Sequence, residues 1–436
     1  MKIQDLLGKK ICMLGYGREG KAMVEAIRTH VKKFKLTVAD ENPDVLKELA
    51  ETTPYYLQSG ANWLDNLETF DVIIKSPGIP PNPQLDAQHS KLTSSTQIFF
   101  DTIAESGSTV IGVTGSKGKS TTASLLFAML KLGKKEVHLV GNIGEPAISH
   151  IHDAKNRTLF VMEMSSYQLM DLTVSPQIAV ITSFFPEHLN YHGSLEAYME
   201  AKKHITKFQK PGDMVFFCAA SHGAVEIAKD GEGTKIPFAA GDAPIRIEET
   251  KLLGDHNLSN IAGAFTVATR LGIPEDKAIN VIKAFEGLPH RLQNLGIHNG
   301  KEWIDDAIST TPESAIAALD ALGNVTTIIL GGQDRGNDFN ELTRRIKASA
   351  VHTVILFPGS GPRIKQALKD NEVAVECFDA ATMEEAVSIA KKAAGGRSPV
   401  AGHPIILLST ASPSYGMFKN FEEKGDQFQT LVKNID

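Results

Sequence analysis

Three groups of residues in this chain could do chemistry. The first lies in VIGVTGSKGKSTTASLLFAML, where a β-branched run enters a glycine-rich loop and an amphipathic helix leaves it. That is the strand–loop–helix context of a phosphate-binding loop. The backbone N–H groups of Gly115, Ser116, Lys117 and Gly118, with the helix N-terminus behind them, can cradle oxyanions. Lys119 can reach β- and γ-phosphates, and Ser120 or Thr121 can offer a hydroxyl to Mg²⁺. The spacing is the short form T-G-x-x-G-K-S-T, because Val113 stands where the longer form has its first glycine. A surface turn rich in lysine and glycine is the plain alternative. The second group is Glu163, at the end of the apolar run in TLFVMEMSSYQL. A nucleoside triphosphate needs a metal and the metal needs oxygen ligands, so an acid ending a strand after the loop is a candidate. A solvent-facing edge residue is its ordinary reading. The third is His188, beside Glu187 and four residues before His192. The two histidines could share a helical zinc site, but no other ligand spacing supports zinc.

A second glycine loop opens the chain. ICMLGYGREGKA carries Gly15, Gly17 and Gly20 as G-x-G-x-x-G, and the next apolar run, LTVAD, ends on Asp40. An acid about twenty residues past the glycines is where a ribose would be held, so the pattern taken alone suggests NAD.

The elements that must position these residues are legible as short apolar runs alternating with amphipathic stretches. ICMLG, LTVAD and DVIIKSPG come first. TVIGVTG, EVHLVGN, TLFVMEMSS and QIAVITS follow, and TTIILGG, TVILFPG and PIILLST come last. Many end in Gly, Ser, Thr or Asp, the residues that turn a strand into a helix N-terminus. Runs apolar throughout fit strands buried on both faces, as in parallel sheets. The class is therefore α/β, with three clusters of strands. Small polar residues at AESGST and the Gly–Pro break in FEGLPHRLQNLG suggest domains at 1–104, 105–288 and 289–436. The length of 436 residues agrees with about three domains.

Composition excludes several classes. Apolar residues make up 42%, charged residues 22%, and the net charge is −6, so an extended nucleic-acid footprint is not expected. No apolar stretch approaches the ~20 residues that span a bilayer, and MKIQDLLGKK has no signal-like apolar region. Cys12, Cys218 and Cys377 are scattered and read as reduced thiols. The expected protein is soluble, cytoplasmic and monomeric.

The loops together resemble the Mur ligase family, the ATP-dependent amino-acid ligases of peptidoglycan synthesis. The stretches that carry the likeness are GVTGSKGKST, GNIGEPA, EMSSYQL, PEHLNYHGSLEAYMEAK, LLGDHNLSNIAGA, GLPHRLQ and LLSTASPSYGMFKNFEEKGDQF, in family order. The short first domain, SPGIP and FKNFEEKG look like the members that join D-glutamate to UDP-N-acetylmuramoyl-L-alanine. The resemblance implies a Rossmann-like UDP-binding domain, a central P-loop ATPase-like domain and a Rossmann-like C-terminal domain. It also implies ATP and Mg²⁺. The alanyl carboxylate would attack the γ-phosphate, and the glutamate amine would then displace phosphate from the acyl phosphate.

Residue by residue, the likeness implies that Lys119 stabilises the transferred phosphoryl group. Ser120 or Thr121 and Glu163 would hold one Mg²⁺, and His188 a second. Lys202 matches the lysine that becomes carbamylated, with Lys203 beside it as the competing position. Asn260, Arg291 and Asp306 would contact ATP, with His256 and His290 equally open to structural roles. Gly17, Arg18, Glu19, Asp40, Ser76, Gly78 and Asn142 would line the UDP-substrate pocket. Thr310, Arg335, Ser414, Tyr415 and Phe421 would hold glutamate. Two departures bear on that amino acid. Ile308 replaces a lysine in AISTT, and Arg335 stands where a lysine is common. L-glutamate is therefore an alternative substrate. A folylpolyglutamate-synthase-like ligase would leave the first domain without a use. A dehydrogenase would leave the phosphate-type loop, Glu163 and the FKNFEEKG tail unexplained, and a non-enzymatic P-loop module would predict that replacing Lys202 or His188 changes no chemistry.

Overall fold

The structure is a computed structural model that describes residues 1–50, 55–133, 136–393 and 402–435. Its apolar runs form three sheets. The first contains β1 (Lys10–Leu14), β2 (Lys35–Asp40), β3 (Tyr56–Ser59), β4 (Val72–Lys75) and β5 (Leu92–Ser94). Its order is β3-β2-β1-β4-β5, and every pair is parallel. β1 lies between the two halves, so the glycine loop at its C-terminal end opens where the strand order reverses. That crevice is the usual ligand position in such sheets.

The second sheet contains β6 (Thr109–Thr114), β7 (Val137–Gly141), β8 (Leu159–Glu163), β9 (Ile178–Ile181), β10 (Met214–Cys218) and β11 (Thr234–Phe238). It is parallel throughout, in the order β11-β10-β9-β6-β8-β7. β8 and β9 are buried along their whole length, as their unbroken apolar sequence requires. β6 leads straight into the phosphate-type loop, and β8, beside it, ends on Glu163. The third sheet contains β12 (Gln293–His298), β13 (Lys301–Asp305), β14 (Val325–Gly332), β15 (Thr353–Gly359), β16 (Glu376–Asp379) and β17 (Ile405–Leu408). Its order is β12-β13-β17-β14-β15-β16, with only the β12–β13 pair antiparallel.

The chain folds as two compact units, Met1–Arg246 with His256–Lys283, and Ile247–Asp255 with Ala284–Asp436. The first unit contains both of the first two sheets, and one apolar core runs between them. Phe99 and Phe100 from the Ser95–Ile103 helix meet Ile148, Ile151 and Phe160, and the Phe99 and Phe160 rings stack edge-to-face at 5.3 Å. Lys75, 2% exposed, places its ammonium 2.7 Å from Asp171 across the same junction. Among the described residues, no helix is long and apolar enough to cross a membrane.

Gly20 shows why the first loop spends its glycines as it does. A Cβ there would lie 2.0 Å from the carbonyl oxygen of Gly15, so the helix Arg18–His30 can approach β1 only without one. Replacing Gly20 with Ala should lower unfolding free energy by about 1–3 kcal/mol through this overlap. Chemical denaturation of both proteins checks it, and an unchanged midpoint would contradict the close approach.

Candidate active site

The glycine loop after β6 is held from below by the strand-end residues Thr182 and Ser183. The backbone N–H of Ser116 donates to the Ser183 carbonyl at 2.9 Å, and that of Lys117 donates to Ser183 Oγ at 2.9 Å. Thr182 Oγ1 donates to the Lys117 carbonyl at 2.6 Å. The Lys119–Gly133 helix follows at once, so Ser120 and Thr121 lie in its first turn. Lys119 Nζ donates to the carbonyls of Gly115 and Ser116 at 3.0 and 2.9 Å, which lays the ammonium across the loop. Gly118 has φ +84°, and a Cβ there would lie 2.1 Å from Asn260 Oδ1. Asn260 is thereby packed against the loop and is oriented by Asn257, whose Oδ1 accepts from its Nδ2 at 2.9 Å.

Three ionisable side chains gather beside this loop. Lys202, on the Leu195–Lys207 helix, is 1% exposed and donates to the Gly115 carbonyl at 2.9 Å. Burial drives its pKa well below the ordinary lysine value, and the neighbouring Lys119 adds to the shift. Lys203 turns away to Glu200, 2.7 Å distant. The structure thus brings Lys202, and not its neighbour, to the loop. Glu163 is 1% exposed. Its Oε1 accepts from Asn142 Nδ2 at 2.7 Å, while Oε2 is buried with no hydrogen-bond partner among the described residues. A buried carboxylate oxygen left unpaired is costly unless a cation completes it, and that fits a Mg²⁺ ligand. His188 has φ 56° and its ring meets Tyr167 and Tyr198. Burial lowers its pKa, Glu187 opposes this, and Lys119, Lys202 and Lys117 add to it. A ring kept neutral in this way suits a metal. His192 is committed elsewhere, to Ser166 Oγ at 2.9 Å.

The first glycine loop lines a cleft of 470 Å³. Gly17, Arg18, Glu19, Asp40, Ser76, Gly78 and Asn142 all face it. Arg18 donates to the Gly141 carbonyl at 2.9 Å and to that of Gly144, which ties this loop to the turn after β7. Asp40 is already engaged, since Oδ2 accepts from the Tyr16 N–H at 2.7 Å and Oδ1 from that of Asn42 at 2.9 Å. Its first duty is to shape the loop, with lone pairs left for a ligand. Glu19 accepts from Gln168 at 3.3 Å, and burial raises its pKa.

In the second unit, Asp305 ends β13, Asp306 follows it, and both are buried. His290 Nδ1 lies 2.7 Å from Asp305 Oδ2, which makes His290 a structural partner of that acid. Asp306 accepts from Ser409 Oγ at 2.8 Å and from the Leu292 N–H at 3.2 Å. Burial pushes its pKa up to about 6. Arg291, nearby in sequence, has its Nε buried without a partner among the described residues. The guanidinium of Arg335 sits 5.9 Å from the Tyr415 ring centre. Ser414 is buried with its hydroxyl unpartnered among the described residues. Phe421 meets the His290 ring at 6.3 Å, and Thr310 is half-buried close by in sequence to Ser309, whose carbonyl accepts from Thr410 Oγ1 at 3.3 Å.

Residues 113–240 match the family description "Mur ligase middle domain", and residues 290–401 match "Mur ligase, glutamate ligase domain". The chain is 34% identical to a UDP-N-acetylmuramoyl-L-alanine–L-glutamate ligase of Salinispora tropica, over 100% of this chain and 99% of that protein. The chain belongs to the Mur ligase family. It is also 32% identical to a UDP-N-acetylmuramoylalanine–D-glutamate ligase of Streptococcus sanguinis, over 100% of this chain and 99% of the relative. The UDP-N-acetylmuramate–alanine ligase of Thermotoga maritima shares the fold, with a TM-score of 0.60 and 18% identity over 98% of this chain and 100% of that one.

Sequence reasoning passes over two groups that this Mur ligase builds into its sites. Lys424, on the Phe421–Lys433 helix, is 1% exposed and donates to Thr410 Oγ1 at 2.6 Å. Burial pushes its pKa down to about 8, against the pull of Asp305 and Asp306. Tyr191 donates its hydroxyl to the carbonyls of Pro77 and Ile79, at 2.7 and 2.8 Å, and so holds the SPGIP turn. In both cases the only signal is position inside a stretch that carries the family likeness.

Asp306 gives a pH test. Its folded pKa of about 6 lies above the ordinary value of 3.8. Between these values the folded chain holds a proton that the unfolded chain has released. The stability linked to Asp306 is therefore present below about pH 4 and is lost as pH rises through about 6. Replacing Asp306 with Asn should remove on the order of 2–3 kcal/mol of that decline. Unfolding free energies at pH 4 and 6.5 read it directly, and equal slopes in the two proteins would contradict the assignment.

Proposed function

We propose that this Mur ligase joins glutamate to UDP-N-acetylmuramoyl-L-alanine through an acyl phosphate, with release of ADP and phosphate, as a step of peptidoglycan precursor synthesis. The observation that carries the reading is the grouping of Lys119, buried Lys202 and half-satisfied Glu163 around one glycine loop, in the unit that also holds the Arg18 cleft. A free carboxylate is a poor acylating agent. Transfer of the γ-phosphoryl group gives it a leaving group, and the transfer asks mainly for positioning and charge stabilisation. Lys119 and the loop amides supply that for the phosphates. Ser120 or Thr121 and Glu163 would hold one Mg²⁺ and His188 a second, and the ions would neutralise phosphate charge. The alanyl carboxylate displaces ADP from the γ-phosphorus. The glutamate amine then attacks the acyl carbon, loses a proton, and phosphate leaves.

Lys202 fits a carbamate. Burial drives its pKa well below the ordinary lysine value and so favours the neutral amine, the form that adds CO₂ with loss of a proton. The product would be an anionic oxygen donor that could ligate a bound Mg²⁺. We expect Lys202→Ala to lose activity and to be partly rescued by small carboxylates. Full activity without any additive would remove the carbamate.

The domain assignment follows the same reading. Residues 1–104 bind the UDP substrate, 105–288 bind ATP, and 289–436 bind glutamate through Thr310, Arg335, Ser414, Tyr415 and Phe421. Arg291 and Asp306 are assigned to the nucleotide with Asn260. The protein works as a cytoplasmic monomer. The D-enantiomer is the leading substrate, as in the Streptococcus sanguinis relative. L-glutamate is the second reading, favoured by Ile308 at a lysine position and by the Salinispora tropica relative. Purified protein given ATP, Mg²⁺ and UDP-N-acetylmuramoyl-L-alanine should release ADP with D-glutamate, and Lys119→Ala should abolish that release. Turnover with L-glutamate alone would establish the second reading, and turnover with neither would overturn the ligase assignment.

A further inference from the structure

A histidine–carboxylate cluster lies outside the residues assigned above. His138 stands on β7, an edge strand, and His150 and Asp153 on the Ala147–Asp153 turn of 3₁₀ helix that follows it. One ring nitrogen from each histidine and one carboxylate oxygen lie within 4.8 Å of one another. His150 Nδ1 is 2.8 Å from Asp153 Oδ2, and His138 Nδ1 is 4.0 Å from the same oxygen. Zinc with nitrogen and oxygen donors at ~2.0–2.2 Å in a tetrahedral site places neighbouring donors roughly 3.3 Å apart, and the two observed separations bracket that span.

The hydrogen bonds around the cluster favour a cation. His150 Nε2 is 2.8 Å from Glu145 Oε2, so a second carboxylate faces the other side of the ring. Its Nδ1 shares a hydrogen bond with Asp153 Oδ2 at 2.8 Å, and the proton between them is what a metal ion would displace. A carboxylate on the far nitrogen is also how a metal-bound histidine is usually oriented. His138 is held by stacking on Phe160, with ring centres 5.4 Å apart. Its Nε2 is buried without a hydrogen-bond partner among the described residues, and its Nδ1 stands beyond hydrogen-bond reach of Asp153. Burial, with the neighbouring His150, lowers its pKa, which favours the neutral ring that can bind a metal.

We propose that His138 Nδ1, His150 Nδ1 and Asp153 Oδ2 form a zinc(II) site, with Glu145 orienting His150 and water completing the coordination. Two imidazoles with one carboxylate suit zinc better than Mg²⁺ or Ca²⁺, which prefer oxygen donors throughout. The bound ion would clamp β7 to the turn beyond it. Between those two anchors lie the Gly141 and Gly144 carbonyls that hold Arg18, and Asn142, which donates to Glu163. Zinc would therefore set the loop that separates the cleft from the phosphate-type loop.

The test needs no turnover. Chelator-treated, tag-free full-length protein is titrated with Zn²⁺ against a chromophoric chelator, in excess Mg²⁺, alongside His138→Ala, Asp153→Asn, Glu145→Gln and Glu163→Gln. Wild type and Glu163→Gln should each take up zinc at micromolar free metal, and zinc should raise their melting temperatures. His138→Ala and Asp153→Asn should lose that uptake, and Glu145→Gln should bind about 10–100-fold more weakly. Asp153→Asn keeps the size of the side chain, so its circular dichroism spectrum separates loss of metal from loss of fold. No uptake by wild type, or equal uptake by wild type and Asp153→Asn, would overturn the site.

Discussion

The grip of Arg18 on the carbonyls of Gly141 and Gly144 is the interaction on which the first unit's chemistry depends. It takes a residue at the start of a helix on one sheet and anchors it to the turn at the end of a strand on another. A guanidinium is suited to this, because it offers several donors in a fixed plane and stays charged at any working pH. The tie adds a polar link to the apolar core and the Lys75–Asp171 pair that join the same two sheets. Asn142, which lines the cleft with Gly17 and Ser76, donates to Glu163.

Within each unit the chain buries charge at the C-terminal ends of its strands. Lys202, Glu163, Asp306 and Lys424 are each almost fully removed from water. Such groups cost stability unless their partners are near, and the Glu163 carboxylate has one oxygen that protein leaves unsatisfied among the described residues. Lys202 has a carbonyl and the Thr114 hydroxyl, Glu163 one amide, Lys424 one hydroxyl. Sites that bind charged substrates are built this way, since a half-satisfied group strengthens its contact with an incoming ion once water is excluded.

The sequence makes the central strands legible, and they carry both glycine loops. β4, β8, β9 and β17 are apolar at almost every position because both faces are covered. The edge strands β3, β12 and β16 expose much of their length, so their residues alternate too weakly to stand out. The site residues divide in the same way. Gly118 and Lys119 announce themselves by spacing, because backbone geometry around a phosphate fixes it. Lys202 and Lys203 are identical letters, and only the direction in which the helix turns separates them. Lys424 sits among exposed acids in FEEKGDQF and has the pattern of a solvated face until packing buries it. His138, His150 and Asp153 meet across a strand and a turn, so no ligand spacing joins them.

The apolar seam between the first two sheets has a consequence for modularity. Phe99, Phe100 and Ile103 belong to the opening segment, yet they are covered by Ile148, Ile151 and Phe160 from the next. The first hundred residues are thus not a detachable cassette, although their glycine loop resembles one found in many unrelated nucleotide binders. A chimera that exchanged them would have to bring its own complementary apolar face. Lineages that recombined here would be limited to partners whose surface already matched that face, so inheritance of the two sheets would be joint.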